Sequence, residues 1–591
     1  MRLKTRHFYF LAFTAIFAVL AGFVFWGTWG LSVCPVMPDA RMTFPEQGYV
    51  ASVLREWIKN GKFVPWDITA FLGSPYLWQE MQYALAVYFS ALALAYYLKG
   101  RGLSLLSCYG AGLFLGFCGY WLTLFSAGHA GWFRLLMVAV FAFGLADRAV
   151  RKGKAKNYIL LGATVAWGGF YQPDIWLLFT VFTAAYFIWC CIREKKIPSI
   201  KGMVLSALVF AVIAAPSIKG AAKEKAGRDE QIEQSKGSAL SGGQKADDKE
   251  ARWVFVTNWS LPPNETVEFF IPRINGDTSC ATVLSLGGRV NTGVKPYTGA
   301  LGRPLGAKEG NYRQHSLYVG FVTCLFALAS VVLFFVDRGR EKEIAFFALS
   351  AVFFYLLSMG RNFEVLYRLV FALPIGDSIR APVKWHHLTE LCLCVLAGFG
   401  IEAVRKHLVS LGAKQKTVGI ILGIVILVGA IDLARCAKLY CAPLDLSIVK
   451  SANPAAELIK KRGGGRVADF LQGGRGPVSW SFGAKGVGMT ADPASPNVRF
   501  IWAPAQLLNT PDMRNWLKSK GAVPAGAYYV TERAVRDAAG GNANVMLMEI
   551  PSVPAPEKKP APLPPITVVT YLGAFSLLGT LFALVYGAKK S

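Results

Sequence analysis

Residues 132–170 read WFRLLMVAVFAFGLADRAVRKGKAKNYILLGATVAWGGF, and this stretch decides the fold class. Two apolar runs, Trp132–Ala146 and Tyr158–Phe170, flank the ten-residue connection Asp147–Lys156, which carries five Lys and Arg. A short connection that dense in positive charge, set between apolar runs, has the pattern of a cytoplasmic turn in a polytopic membrane protein.

Working outward, the whole chain has the same character. Only 17% of its 591 residues are charged, against about a quarter in a soluble protein, while 54% belong to the hydrophobic set and Phe alone numbers 40. Disorder, collagen and coiled coil are excluded as global descriptions. The net charge of +27 is a warning of nucleic acid only if the cations form a groove. Many lie instead in short segments between apolar runs, which argues against nucleic-acid binding.

A membrane span needs about 20 mostly apolar residues. Twelve candidates follow: Phe8–Trp29, Met81–Leu98, Leu103–Phe125, Trp132–Ala146, Tyr158–Phe170, Ile175–Ile192, Met203–Ala215, Leu317–Val336, Ile344–Met359, Leu388–Val404, Val418–Leu433 and Ile566–Tyr586. The first follows Arg2, Lys4 and Arg6 with no small-residue cleavage site after it, so it reads as an uncleaved anchor. With the N-terminus inside, the N-terminal segment, the connections Lys99–Arg101, Asp147–Lys156, Arg193–Lys201, Asp337–Glu343 and Arg405–Lys416, and the tail hold 23 Lys and Arg on the cytoplasmic side. The short outer turns Ser126–Gly131 and Tyr171–Asp174 hold none. Both termini are therefore expected in the cytoplasm, and the long connections Gly30–Glu80, Pro216–Ser316, Gly360–His387 and Ala434–Pro565 outside. No internal repeat of the transporter kind is visible.

The expected architecture is mainly α: a polytopic bundle of about twelve transmembrane helices over residues 1–435, with extracytoplasmic loops 30–80 and 216–316. A small extracytoplasmic α/β domain and Pro-rich linker occupy 436–565, and a last helix with a basic tail occupies 566–591. In the α/β domain, Ala455–Lys461 and Asp512–Lys520 have helical periodicity, and Arg466–Phe470 and Asn544–Ile550 read as strands. The polar stretch Lys219–Lys249 reads either as a lid or as a disordered insertion. Of the 11 cysteines, seven lie in apolar runs as small hydrophobes; Cys34, Cys280, Cys436 and Cys441 lie outside or at the edges of the spans, where a disulfide is one option.

Candidate chemistry gathers on the outer side. Asp39, in Met37-Pro38-Asp39-Ala40-Arg41, lies where membrane meets water; it fits a general base, a metal ligand or a turn cap. Glu46-Gln47 then leads into an amphipathic stretch, Tyr49–Lys59. His129 lies in the small-residue turn of Ser126–Gly131, and Asp174 opens the sixth run at the same depth; each has a plain capping role as its alternative. The basic cluster Arg380-Ala381-Pro382-Val383-Lys384-Trp385-His386-His387 is conspicuous because cations are scarce in outer segments. Arg and Lys beside a helix N-terminus suit a phosphate or pyrophosphate, with Arg361 and Arg368 as further contributors; interfacial snorkelling of Lys384 is the alternative. His386 and His387, adjacent on a helix, point apart and are no metal pair. No Walker loop, HExxH or GxSxG occurs.

The order of motifs resembles a known family. A span, a loop with Pro38-Asp39, Leu54-Arg55-Glu56-Trp57 running into Gly61-Lys62-Phe63-Val64-Pro65-Trp66, and Phe71-Leu72-Gly73-Ser74-Pro75 are similar to the first outer loop of bacterial YfhO-type membrane proteins. Gly128-His129, Leu261-Pro262-Pro263 with Ile271-Pro272, Tyr318-Val319-Gly320 and Arg380-Ala381-Pro382 extend the resemblance over about Phe8 to Leu433. That family belongs with the GT-C glycosyltransferases, which use polyprenyl-phosphate sugars. The resemblance implies inverting transfer from a lipid-phosphate donor to an envelope glycan, lipid or protein at the outer face of the bacterial cytoplasmic membrane. Asp39 would be the base or acceptor-orienting acid, Arg380 would pair with the donor phosphate, and Lys384 and His129 are secondary candidates. No cofactor is implied with certainty. Asp39 is followed by Ala40 and Arg41 rather than by a second acid, which counts against a divalent metal. The alternatives are a carrier of lipid-linked saccharide and an assembly scaffold; the near absence of mid-span charge counts against ion-coupled transport.

Overall fold

The computed structural model describes residues 2–25, 33–35, 75–119, 130–169, 173–215, 217–218, 248–276, 299–301, 317–336, 342–373, 376, 379–438, 443–445, 454–463, 466–469, 488–490, 498–529 and 544–552. Asp39, Glu46, Gln47, His129, Cys280, Cys441 and the run Ile566–Tyr586 lie outside these residues, as does nearly all of Lys219–Lys249.

The described chain is mainly helical. The first helix, α1 (Arg2–Phe25), leads to the short strand β1 (Val33–Pro35). Then come α2 (Pro75–Gly100), α3 (Leu105–Phe117), α4 (Ala130–Lys152), α5 (Ala155–Gly168), α6 (Pro173–Glu194) and α7 (Ile200–Ala215). After α8 (Asp248–Val256) and a 3-10 segment, Pro263–Phe269, follow α9 (Phe321–Val336), α10 (Lys342–Ser358) and α11 (Glu364–Phe371). The long helices α12 (His386–Ser410) and α13 (Gln415–Lys438) complete the bundle. The apolar runs thus coil into helices, because a buried or lipid-facing backbone satisfies its own hydrogen bonds only that way.

Four helices are long and apolar enough to cross a membrane: Arg6–Phe25, Ile175–Glu194, Pro382–Ser410 and Gln415–Lys438. The bent pair Lys342–Ser358 and Gly360–Phe371, broken at 115°, makes a fifth if taken as one span. Twelve crossings are therefore not all shown. At a 1.5 Å rise per residue, the 13 residues of α3 or the 16 of α9 are shorter than the hydrocarbon core. The outward faces are nevertheless apolar, with Leu11, Val19, Val181, Ile188, Leu328, Phe335, Leu349 and Ile424 all exposed. So much exposed apolar surface marks a lipid-facing bundle.

Helix α12 is the axis of that bundle, with 83% of its apolar window buried. It packs on α9, α10, α3 and α13. The α9 crossing is close because Gly400 meets the Phe326 carbonyl directly; a Cβ there would collide with it. Small residues allow such backbone approach where hydrophobic driving force is weak.

The two ends of the bundle differ. At one end α1 and α13 run into β1 and β2 (Pro443–Asp445), which pair antiparallel with Cys34 opposite Leu444. This is called the ribbon end. Cys436, expected at a span edge and weighed as a disulfide partner, lies on α13 as a buried free thiol. At the other end the basic connections converge. Asp147 on α4, 2% exposed, receives Arg193 at 2.6 Å, Arg151 at 2.6 Å and Arg101 at 3.3 Å. Arg101 also reaches Glu343 at 3.1 Å, and Arg193 pairs with Glu343 as well. Beside this network, Glu402 accepts from Arg405 at 2.6 Å, the Ser104 N–H at 3.1 Å and Ser107 at 2.9 Å. Helices α2, α3, α4, α6, α10 and α12 are thereby tied together at their charged ends.

Residues 454–550 contain α14 (Pro454–Lys461), β3 (Arg466–Asp469), β4 (Gly488–Thr490), β5 (Val498–Pro504), α15 (Pro511–Ser519), β6 (Val523–Tyr529) and β7 (Asn544–Glu549). The sheet order is β4-β3-β5-β7-β6, parallel across β4, β3 and β5 and antiparallel at β7. Each face has its own core: Ile459 of α14 packs with Val467, Phe500 and Leu547, and Leu517 of α15 packs with Val498, Ile501 and Met548. Burial beside these cores pushes the Tyr528 hydroxyl above its usual value.

Candidate functional site

Three segments distant in sequence cross at the ribbon end. The turn after α8, residues 257–262, passes between the α10–α11 bend and the segment that opens α12. It is held by backbone bonds on both sides. The Ala381 N–H donates to Val256 O at 3.0 Å and the Val383 N–H to Trp259 O at 3.1 Å. On the other side, the Leu261 N–H donates to Ser358 O at 2.9 Å and Asn362 Nδ2 to Leu261 O at 2.9 Å.

This crossing brings Arg361 and Arg380 to one turn. The Arg361 N–H donates to Ser260 Oγ at 3.0 Å, and the Arg380 guanidinium lies 4.5 Å from the ring centroids of both Phe255 and Trp259. Arg368 stacks on Trp253 at 4.4 Å and pairs with Glu364 at 3.0 Å. Such ring contacts contribute about 0.5–2 kcal/mol each. They fix a guanidinium in place and add no counter-charge. Arg361 Nη1 is buried, with no hydrogen-bond partner among the described residues. A buried arginine donor of that kind is suited to an anion.

The local backbone is strained where it positions these groups. Ala381 has φ +64° and Trp259 φ +61°, both left-handed without being glycine. Gly360, at φ +50°, lies against Ser260 and Pro382 so closely that no side chain fits. It is the point at which the α10–α11 bend admits the 257–262 turn.

The other basic candidates have a different setting. Lys384 is 8% exposed, so it is not a snorkelling residue at the surface. His386 is fully buried; its ring lies 4.5 Å from that of Phe269, and its Nε2 is 3.7 Å from Glu390 Oε1. Glu390 also accepts from Cys118 Sγ at 3.1 Å. His387 is equally buried. Asp174 is the second residue of α6, inside its first turn rather than at the N-cap position expected for it.

Glu390 was missed by sequence reasoning. It is the third residue of the run Leu388–Val404, at the edge of that run rather than at mid-span. The signal was present: His386 and Glu390 are four apart and share a helix face. Asp432 on α13, which accepts from the Tyr318 hydroxyl, was overlooked in the same way.

Nearby, buried Glu265 accepts from the Ala300 N–H at 2.6 Å and the Leu301 N–H at 3.1 Å, and Glu268 accepts from Asn275 Nδ2 at 3.0 Å. These carboxylates pin the loop ends around the 3-10 segment. Among the described residues no three His, Cys, Asp or Glu side chains converge as metal ligands. Comparison with protein-family models gives no match, and comparison with curated proteins gives none either.

Proposed function

We propose that the protein is a polytopic membrane glycosyltransferase of GT-C type, moving a sugar from a polyprenyl-phosphate donor to an envelope glycan, lipid or protein. The observation that carries the reading is the convergence of Arg361 and Arg380 on the 257–262 turn, with a buried Arg361 donor and an Arg380 guanidinium stacked on aromatic rings. The resemblance to YfhO-type proteins supports it independently. On this reading there are about twelve crossings, the end bearing Asp147 faces the cytoplasm of a bacterial cell, and the ribbon end faces outward with residues 436–565.

The chemistry is an in-line displacement at the sugar carbon. The acceptor hydroxyl attacks as Asp39 takes its proton, the bond from that carbon to the phosphate oxygen breaks, and the phosphate leaves on its lipid. Arg380 and Arg361 hold the charge that grows on the leaving phosphate, which favours the transition state over the ground state. Lys384 and His386 are too buried to reach an outer phosphate without a local opening and take supporting roles.

Sugar transfer from radiolabelled polyprenyl-phosphate sugars to total envelope lipids and glycans, in nanodiscs, tests the reading. Wild type is expected to transfer and Asp39→Asn to lose transfer while folding normally. Equal transfer by both removes Asp39 from the mechanism; no transfer and no donor binding removes the enzyme reading.

The second reading, a carrier that moves lipid-linked saccharide, is favoured by one observation. The His386–Glu390 pair is an ionisable pair inside a membrane helix, a frequent mark of a proton or ion path.

A further inference from the structure

A cavity of about 270 Å³ opens at the charged end, away from the ribbon end, between the α2–α3 turn, α9, the start of α10 and the last turns of α12. One side of it is apolar, with Leu333, Phe334, Ile344 and Phe399. The other side carries Arg101, Lys406 and His407, together with Glu402.

The charge of that carboxylate is offset by its ion pair with Arg405, and both of its oxygens are held. Oε1 accepts from Arg405 at 2.6 Å; Oε2 accepts from the Ser104 N–H at 3.1 Å and from Ser107 at 2.9 Å. Arg101, whose charge is met by Asp147 and Glu343, still contributes one donor: its Nε is buried and has no hydrogen-bond partner among the described residues; the uncompensated charge on this side is that of Lys406. The Lys406 side chain is 65% exposed and lies 4.0 Å from Glu402, so it reaches over the rim. The outward face of α9 continues the apolar wall into the membrane-facing surface through Leu328, Val332 and Phe335, all exposed.

We infer that this cavity binds the phosphodiester headgroup of an anionic bilayer phospholipid, with the acyl chains lying along α9. Cationic donors on one side and a continuous apolar wall on the other fit an amphiphile. A free phosphate would use only the cationic side. Basic pockets between transmembrane helices are suited to such headgroups.

The test uses the full chain, purified in neutral detergent, and follows its thermal-unfolding midpoint. Phosphatidylglycerol is expected to raise the midpoint several degrees more than phosphatidylcholine of the same acyl chains. Inorganic phosphate at the same concentration is expected not to reproduce the shift. The double variant Lys406→Gln/His407→Gln, at exposed positions that leave the core untouched, is expected to bind phosphatidylglycerol at least fivefold more weakly, with its midpoint in phosphatidylcholine unchanged. Native mass spectrometry of phosphatidylglycerol adducts on both proteins gives a second readout should the double variant prove unstable. Equal shifts by the two lipids, or an undiminished shift in the double variant, overturn the inference. A full shift by inorganic phosphate overturns the lipid and leaves a phosphate ion as the ligand.

Discussion

The two ends of the bundle both gather arginines but hold them differently. At the charged end Arg101, Arg151 and Arg193 are held by Asp147 and Glu343. At the ribbon end Arg380 is held on Phe255 and Trp259, and Arg361 offers a buried donor. A carboxylate neutralises the arginine it positions; a ring positions without neutralising. The first arrangement clamps helices; the second is the one that the proposed function assigns to the donor phosphate. Composition alone cannot separate these uses, since both ends are basic in sequence.

Four substitutions break or sharpen this contrast. The largest effect is expected from Asp147→Asn, which leaves buried arginines without their shared acid and should cost about 3–5 kcal/mol of stability. Denaturant unfolding in detergent measures it; a loss below about 1 kcal/mol would mean that the network clamps nothing. Next, Arg380→Ala should lower sugar transfer about 10²–10³-fold, as loss of one transition-state donor does. Its unfolding midpoint should fall less than that of Asp147→Asn, by no more than the two lost ring contacts account for, and Arg380→Lys should recover part of the rate. A large stability loss with unchanged transfer would make Arg380 a clamp like those at the other end. Gly360→Ala should follow, at about 1–3 kcal/mol from overpacking in a left-handed position. Because Gly360 admits the turn that aligns both arginines, transfer should fall in folded protein too. The smallest effect is expected from Ala381→Gly, which relieves a left-handed backbone and should raise stability by about 1 kcal/mol. Donor affinity should nevertheless drop, since a freer backbone no longer fixes Arg380; a simultaneous rise in both would show that the strain has no role there.

Much of the helical layout was legible because apolar runs and basic connections obey different rules. The Asp147–Lys156 connection stood out by its cations. Asp147 itself did not, since counting Lys and Arg ignores the acid around which they assemble. Arg380 was legible as a cation in an unexpected place, and Arg361 as its neighbour. Their platform was not: Phe255 and Trp259 lie more than a hundred residues upstream of Arg380, and nothing local announces that contact. His386 belongs in sequence to the cluster expected to bind the donor phosphate, whereas α12 lies at the centre of the bundle and buries it. In the sheet, β3 and β7 were legible from their apolar residues. Strand β6 was not, because Pro524, Ala525, Gly526 and Ala527 have weak strand preference and are fixed by pairing with β7.

The ribbon of β1 and β2 also has a consequence for how the molecule is made. Pro35 pairs with Pro443, so one strand emerges from the ribosome 408 residues before its partner. At 5–20 residues per second that interval is roughly 20–80 s. Throughout it, the first helix stands in the bilayer with the edge of its following strand unpaired, and the contact between α1 and α13 cannot form. Closure of the bundle is therefore a late event in synthesis, and a chain that stops short of β2 keeps an open edge that invites a chaperone or another nascent chain.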